Sequence, residues 1–410
     1  MRVASPRGPK NNVRVTTAAG MRMIFSNRRG ILAGAAALAA GSVSAGVLAK
    51  ANVKSAKGAQ GMLIVNALGG LENPNLALTR KQSDNPVAMD NVDMDDRTIS
   101  DARASGLNAV NVTLGYVAGP EEPYEETIRT IAMWDDVLRS RPNDLLRVEK
   151  AADILRARAE NKIGVIYGFQ NAAMMGNDAS RVATFAGLGV RVIQLTYNPR
   201  NQLGDGSMVP ENKGLTDFGR EVVAQLNAHR VMVDLSHSGQ NTCLDAARVS
   251  QAPISINHTG CRALMDLPRN KTDEELRLVA SKGGFVGIYF MPYLKADGHP
   301  HAEDVVAHID HAVNVCGEDC VGIGTDGSVT PIDDLGLYQA ALAKEVADRA
   351  KAGIGATGER ADTYPFVIDL RGVDQFRKLE GLLKAKGYSE ARIEKIMGRN
   401  FLRFATAVWG

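Results

Sequence analysis

Short apolar, β-branched runs recur along this chain: GMLIVNA (61–67), LNAVNVT (107–113), IGVIYGF (163–169), VRVIQLT (190–196), VMVDLS (231–236), APISIN (252–257), GFVGIYF (284–290) and CVGIGT (320–325). Each is nearly continuous in hydrophobicity rather than alternating, the pattern of strands buried on both faces of a parallel sheet. Between them lie charged segments of helical period, such as TDFGREVVAQLNAH (216–229) and TDEELRLVASK (272–282). Both open on Thr-Asp, an N-cap followed by acid in the first turn. Alternating strand and helix eight times predicts an α/β fold, a (β/α)8 TIM-type barrel, with C-terminal helices over 374–386 and near Trp409. The rival, an open doubly wound sheet, lacks the Gly-rich phosphate fingerprint after the first strand.

Composition bounds the rest. The chain has 410 residues, 45% of them hydrophobic, enough for one large domain with a full core. With 48 Lys+Arg against 46 Asp+Glu the net charge is +2. No basic stripe with interleaved aromatics follows the first fifty residues, so nothing argues for nucleic acid. Residues 1–30 carry Arg and Lys but no acid, and an Ala/Gly/Leu/Val stretch (31–49) follows directly on Arg28-Arg29. This reads as a twin-arginine-like export signal, so the chain divides into a leader region (1–51) and a barrel (52–410). A periplasmic or otherwise exported location is expected, with no membrane span once the signal is removed. The alternatives are a basic tail and an uncleaved anchor, which the Gly and Ala content disfavours. Of four cysteines, Cys316 and Cys320 are spaced for a local bridge only if the chain turns between them. Free thiols are the expectation.

The chain has seven histidines and none precedes His229. His237 closes the run VMVDLSH and His258 the run APISINH, while CVGIGTD closes on Asp326. In a parallel barrel, strand carboxyl ends carry the active site. Two imidazoles on neighbouring strands suit zinc. Asp326, with Gly327 giving the backbone room to turn, is a candidate general base or proton shuttle. Alone, each strand-end histidine reads as a satisfied polar residue and Asp326 as a helix cap. Asp234, three before His237, points to the other strand face and reads as structural. Arg269, just before a helix, can clamp a carboxylate or, alternatively, pair with Asp273 or Glu274 at the surface. His229, His299, His301, His308 and His311 fall on helices or polar loops and read as solvated or packing residues. The long loop 198–214 follows a strand's carboxyl end and is placed to line the pocket.

Several segments together carry a resemblance: GFQNAAMMGND, LGVRVIQLTYN, GLTDFGREVVAQLN, VDLSHSG, INHTGCRAL, PRNKTDEEL, VGIGTDG and the closing GRNFLRF. In content and spacing they resemble the membrane (renal) dipeptidase family, over nearly all of residues 61–408. The resemblance implies a pair of zinc ions bridged by a glutamate and cleavage of dipeptides with a free carboxyl terminus. It assigns His237 and His258 to one zinc, Asp326 to the catalytic acid and Arg269 to the substrate carboxylate. It also marks departures. The family's His-x-Asp falls on Leu68-Gly69-Gly70, its bridging glutamate on Gln170 and a substrate-contacting histidine on Tyr197. Gly69, Gly70, Gln170, Asn171, Tyr197 and Asn198 would make a polar, roomy floor, with Tyr197 and Asn198 contacting substrate. Two dications facing a neutral Gln170 would be poorly compensated. The expectation is therefore one zinc at most, on His237, His258 and water, aided by Gln170 or Asp326. The function expected is that of an exported zinc-dependent dipeptidase-like hydrolase. The alternative is a binding or accessory protein, or an enzyme for a modified peptide-derived metabolite. A homodimer is the assembly compatible with it.

Overall fold

Each of the eight apolar runs contains a strand in the computed structural model, which describes residues 61–78 and 92–410. The strands are β1 (Val65–Asn66), β2 (Ala109–Thr113), β3 (Leu145–Arg147), β4 (Ile163–Phe169), β5 (Val190–Gln194), β6 (Met232–Asp234), β7 (Ser255–Thr259), β8 (Phe285–Ile288) and β9 (Val321–Ile323). All pair in parallel in the order β1-β2-β4-β5-β6-β7-β8-β9, with β3 set beside the start of β4. The sheet curls until its ends meet, where Ala67 N donates to Ile323 O at 3.0 Å. This is the (β/α)8 barrel. The leader expected over 1–51 lies outside the described residues.

The short strand β3 is an addition to the sequence reading. It carries Arg147, whose guanidinium lies over the Tyr167 ring and pairs with Asp135, so its polar half hid a strand that pairs on one side only. Helix boundaries follow the caps. Thr216 accepts from Gly219 N to start the helix Asp217–Ala228, and Thr272 with Glu275 forms a reciprocal capping box on Asp273–Ser281.

Helices Gln375–Ala385 and Asn400–Trp409 form as expected beyond β9. The second explains the closing GRNFLRF. Phe401, Phe404 and Trp409 bury themselves with Val65, Ala109, Met232 and Phe285, close to where those strands begin. Asn400 ties its start down through Nδ2, which donates to Glu318 O and Val321 O at 2.7 and 2.8 Å. One end of the barrel is thereby filled with apolar side chains, leaving the carboxyl ends of the strands for polar chemistry. Among the described residues, no helix is long and apolar enough to cross a membrane, and all four cysteines are free thiols.

Candidate functional site

At the carboxyl ends of β9 and β1 the chain holds Asp326 in an unusual backbone state. Its φ of 59° is left-handed, which costs a residue other than glycine about 1 kcal/mol or more. Gly327 was expected to make this turn, but the left-handed residue is Asp326 itself. Hydrogen bonds on both sides hold it there. Asp326 N donates to Leu68 O at 3.0 Å and Gly70 N to Gly327 O at 3.1 Å. Asn66 clasps Thr325, accepting from its N–H and donating to its Oγ1, both at 2.8 Å. Burial pushes the Asp326 carboxyl up to about 6, against the pull of Arg269 and Arg349.

The floor expected from Gly69 and Gly70 does border a cavity, but neither glycine leaves room for a side chain. A Cβ at Gly69 would lie 2.1 Å from Asn66 Nδ2, and one at Gly70 would lie 2.1 Å from both carboxyl oxygens of Glu72. An amide and a carboxylate thus occupy the room that side chains at 69 and 70 would need. Burial, and then the neighbouring Asp93, pushes the Glu72 carboxyl up to about 7 despite a hydrogen bond from the Leu71 backbone. Glu72 and Asp326 share the lining of a cavity of about 280 Å³ with Thr113 and Trp134.

His237 and His258 do come together. Their rings lie 5.0 Å apart and both side chains are buried. Burial, with the Arg269 charge next, holds both imidazoles neutral at ordinary pH. Their surroundings differ. His237 Nδ1 is 2.7 Å from Asn198 Oδ1, and its Nε2 is 3.2 Å from Arg269 Nη2. Neither ring nitrogen of His258 has a hydrogen-bond partner among the described residues. Asp234 is structural, its Oδ1 accepting from Ser236 N, Ser236 Oγ and Asn257 N.

Arg269 is 2% exposed, so the surface alternative is out. Asp273 pairs instead with Arg277 and His311, and Glu274 with Arg248. The guanidinium donates to Ser236 O and His237 Nε2 and lies 5.9 Å from the Tyr289 ring centre. Two of its five N–H groups are so engaged, which leaves others free to meet a ligand. Lys271, also buried, donates to Ser238 O and pairs with Glu275, fixing the same loop to the end of β6.

Gln170, Tyr197, Asn198, His237, Arg269 and Asp326 all line one cavity of about 190 Å³. That is below the roughly 300–1,000 Å³ of pockets for drug-sized ligands, so it suits a small molecule. Gln170 turns its Nε2 to Thr113 Oγ1 at 2.7 Å. The opposite wall comes from the helix Leu335–Lys351 and the loop after it, including Glu345, Arg349 and Glu359. None of these three was singled out from sequence, since Glu345 and Arg349 read as the solvated face of a helix and Glu359 as a loop charge. Glu72 was missed as well, because only the fold sets it against Gly70. Of the remaining histidines His308 is buried, accepting from Cys261 N and meeting Leu294 O, a packing role.

Comparison with known proteins agrees with this architecture. The model of the family described as membrane dipeptidase (peptidase family M19) matches residues 100–352. The chain belongs to the membrane dipeptidase family. An amidohydrolase from Pseudomonas aeruginosa is 30% identical, with 85% of this chain and 97% of that one covered and a TM-score of 0.69. A dipeptidase, tcpJ, from Claviceps purpurea is 28% identical over 68% of this chain and 59% of its own length. A metallopeptidase from Rhodobacter sphaeroides, solved with a phosphinate mimic of the dipeptide L-Ala-D-Ala, shares the fold at 21% identity, with 85% and 99% covered and a TM-score of 0.65.

The positions to which the resemblance assigns the family's first metal ligands hold no donor in this membrane dipeptidase relative. Leu68 and Gly70 offer no ligand atoms, and Glu72 fills the space at Gly70 from another direction. Among the described residues, no three His, Cys, Asp or Glu side chains converge to hold an ion. The unpartnered His258 would accept one, but Nε2 of the neighbouring His237 already accepts a hydrogen bond from Arg269. A guanidinium and a buried Lys271 beside both rings oppose a second positive charge. The residues present do not fit the zinc pair.

Proposed function

We propose that this chain hydrolyses small amides that end in a free carboxylate, dipeptides or close relatives, in the cavity at the barrel mouth. The observation that carries the reading is the convergence of Arg269 and Asp326 on one small cavity. The free N–H groups of Arg269 pair with the substrate carboxylate, a charge-assisted contact strengthened by burial. Asp326, ionised above about pH 6, takes a proton from the attacking water and returns it to the leaving amine. Family membership supports a dipeptidase-like hydrolase, and the ligand of the Rhodobacter sphaeroides protein suggests the substrate's size.

The metal content proposed is one zinc at most, with His258 as its first ligand. Export through the Arg28-Arg29 leader is also part of the proposal. A second reading, a binding or accessory protein, is favoured by Arg269 standing against His237 and by the neutral Gln170. The deciding experiment is zinc stoichiometry by elemental analysis with a dipeptide panel on the same preparation. Turnover with one zinc or none supports the hydrolase; no turnover even after zinc is added, with dipeptide binding retained, supports the binding protein.

A further inference from the structure

The wall opposite Arg269 is thinly anchored. Among the 17 residues of the helix Leu335–Lys351, only Leu342 is buried. Ile354, just beyond it, packs with Val117 and Tyr197 in a small apolar cluster separate from the main core. A segment with so few buried apolar contacts opens at lower cost than the barrel beneath it.

Two of its polar attachments fall on consecutive residues after β5, and others lie further along, where Glu359 accepts from Tyr293 Oη at 3.2 Å and Arg360 donates to Asp297 O at 2.6 Å. Arg349 Nη2 donates to Tyr197 Oη at 3.2 Å, while Arg349 also forks onto Glu359 at 2.8 and 3.0 Å. Asn198 Nδ2 donates to Ile354 O at 2.9 Å. The same two residues grip His237 from their other side. The Tyr197 ring stacks on the imidazole with centres 4.3 Å apart and planes 27° apart, and Asn198 Oδ1 lies 2.7 Å from Nδ1.

The amide can face only one way. A backbone carbonyl accepts and never donates, so Ile354 O requires the NH₂ of Asn198, which turns Oδ1 toward His237. Oδ1 then accepts the Nδ1 proton, and Nε2 is left as an acceptor for Arg269. A carbonyl in the wall, the amide, the imidazole and the guanidinium form one chain with a consistent direction of donation.

We propose that residues 335–363 form a cap whose seating sets the orientation of His237 and Arg269, with Asn198 as the positioning residue and Tyr197 as the second link. This rests on the reading of the cavity as the substrate site and adds a coupling to it. Substrate filling the cavity meets Arg269 on one side and Arg349 and Glu359 of the cap on the other, so closure of the cap and alignment of the guanidinium occur together.

The test uses the full chain with ¹⁵N-labelled histidine, comparing wild type with Arg349→Met and Asn198→Asp. In Asn198→Asp the carboxylate still accepts from His237 but repels Ile354 O, so the cap is released while the ring contact is kept. Glu359→Gln, which retains a carbonyl for Arg349, serves if Arg349→Met fails to fold. The expected result is at least tenfold faster amide hydrogen exchange across 352–363 in each variant. In Arg349→Met, or in Glu359→Gln in its place, the His237 ring nitrogen signals should also shift or broaden. Unchanged exchange, or faster exchange with His237 signals identical to wild type in that variant, would overturn the coupling. Neither readout needs turnover, so failure here is separable from failure of the hydrolase reading.

Discussion

Asp326 owes its chemistry to two local facts, a left-handed backbone that lifts it over the cavity and burial that moves its carboxyl to about 6. Asp326→Asn should lower kcat by roughly 10²- to 10⁴-fold and abolish the acidic limb of kcat/KM near pH 6, measured on whichever dipeptide the panel identifies. Glu72 gives a complementary stability prediction. Its folded value of about 7 exceeds the ordinary 4.5, so the folded state holds this proton more tightly than the unfolded chain. That contribution is complete below about pH 4.5 and is lost as pH rises through about 7. Glu72→Gln should therefore raise stability by about 2–3 kcal/mol at pH 8 and change it little at pH 4, read by urea unfolding at both. The same contact bears on restoring the family's ligands. Leu68→His, Gly70→Asp and Gln170→Glu together should leave zinc occupancy near that of the parent, because a side chain at 70 meets the Glu72 carboxylate. Adding Glu72→Ala to that set should raise it, by elemental analysis.

Among the elements, the helix Asp273–Ser281 shows how a start signal governs a site. Its capping box fixes the point where the loop carrying Arg269 and Lys271 ends, and the Lys271–Glu275 pair draws the N3 residue of that box into the loop's own support. Thr272→Ala should cost about 1 kcal/mol in chemical denaturation. It should also raise KM more than it lowers kcat, because the guanidinium proposed to meet substrate is held by that loop. The cap helix Leu335–Lys351 is the opposite case. Its sequence gives a helix, yet almost nothing on it faces the core, so its place rests on ring contacts of Tyr338 and on polar ties, among them Arg349 and the Ile354 carbonyl that Asn198 holds.

At the scale of the whole molecule, closure of the barrel and construction of the site are one event. Asn66 on β1 and Thr325 after β9 are 259 residues apart, and their paired hydrogen bonds both seal the sheet and hold Asp326. Thr325→Val removes one acceptor from a buried amide and should cost about 1–3 kcal/mol, with a fall in kcat larger than that of a stability change at a remote strand. The sequence by itself determined the barrel, since continuous apolar runs separated by capped amphipathic segments bury themselves in few other ways. It also determined which strand ends carry His237, His258 and Asp326, because a strand's carboxyl end always faces the mouth. The tertiary structure alone decided what those groups face. Glu72 against Gly70, Arg269 against His237, and Ile354 reaching Asn198 are contacts between segments remote in the chain or turned by the backbone. They depend on the packing of the closed barrel, and no local periodicity encodes a distance across it.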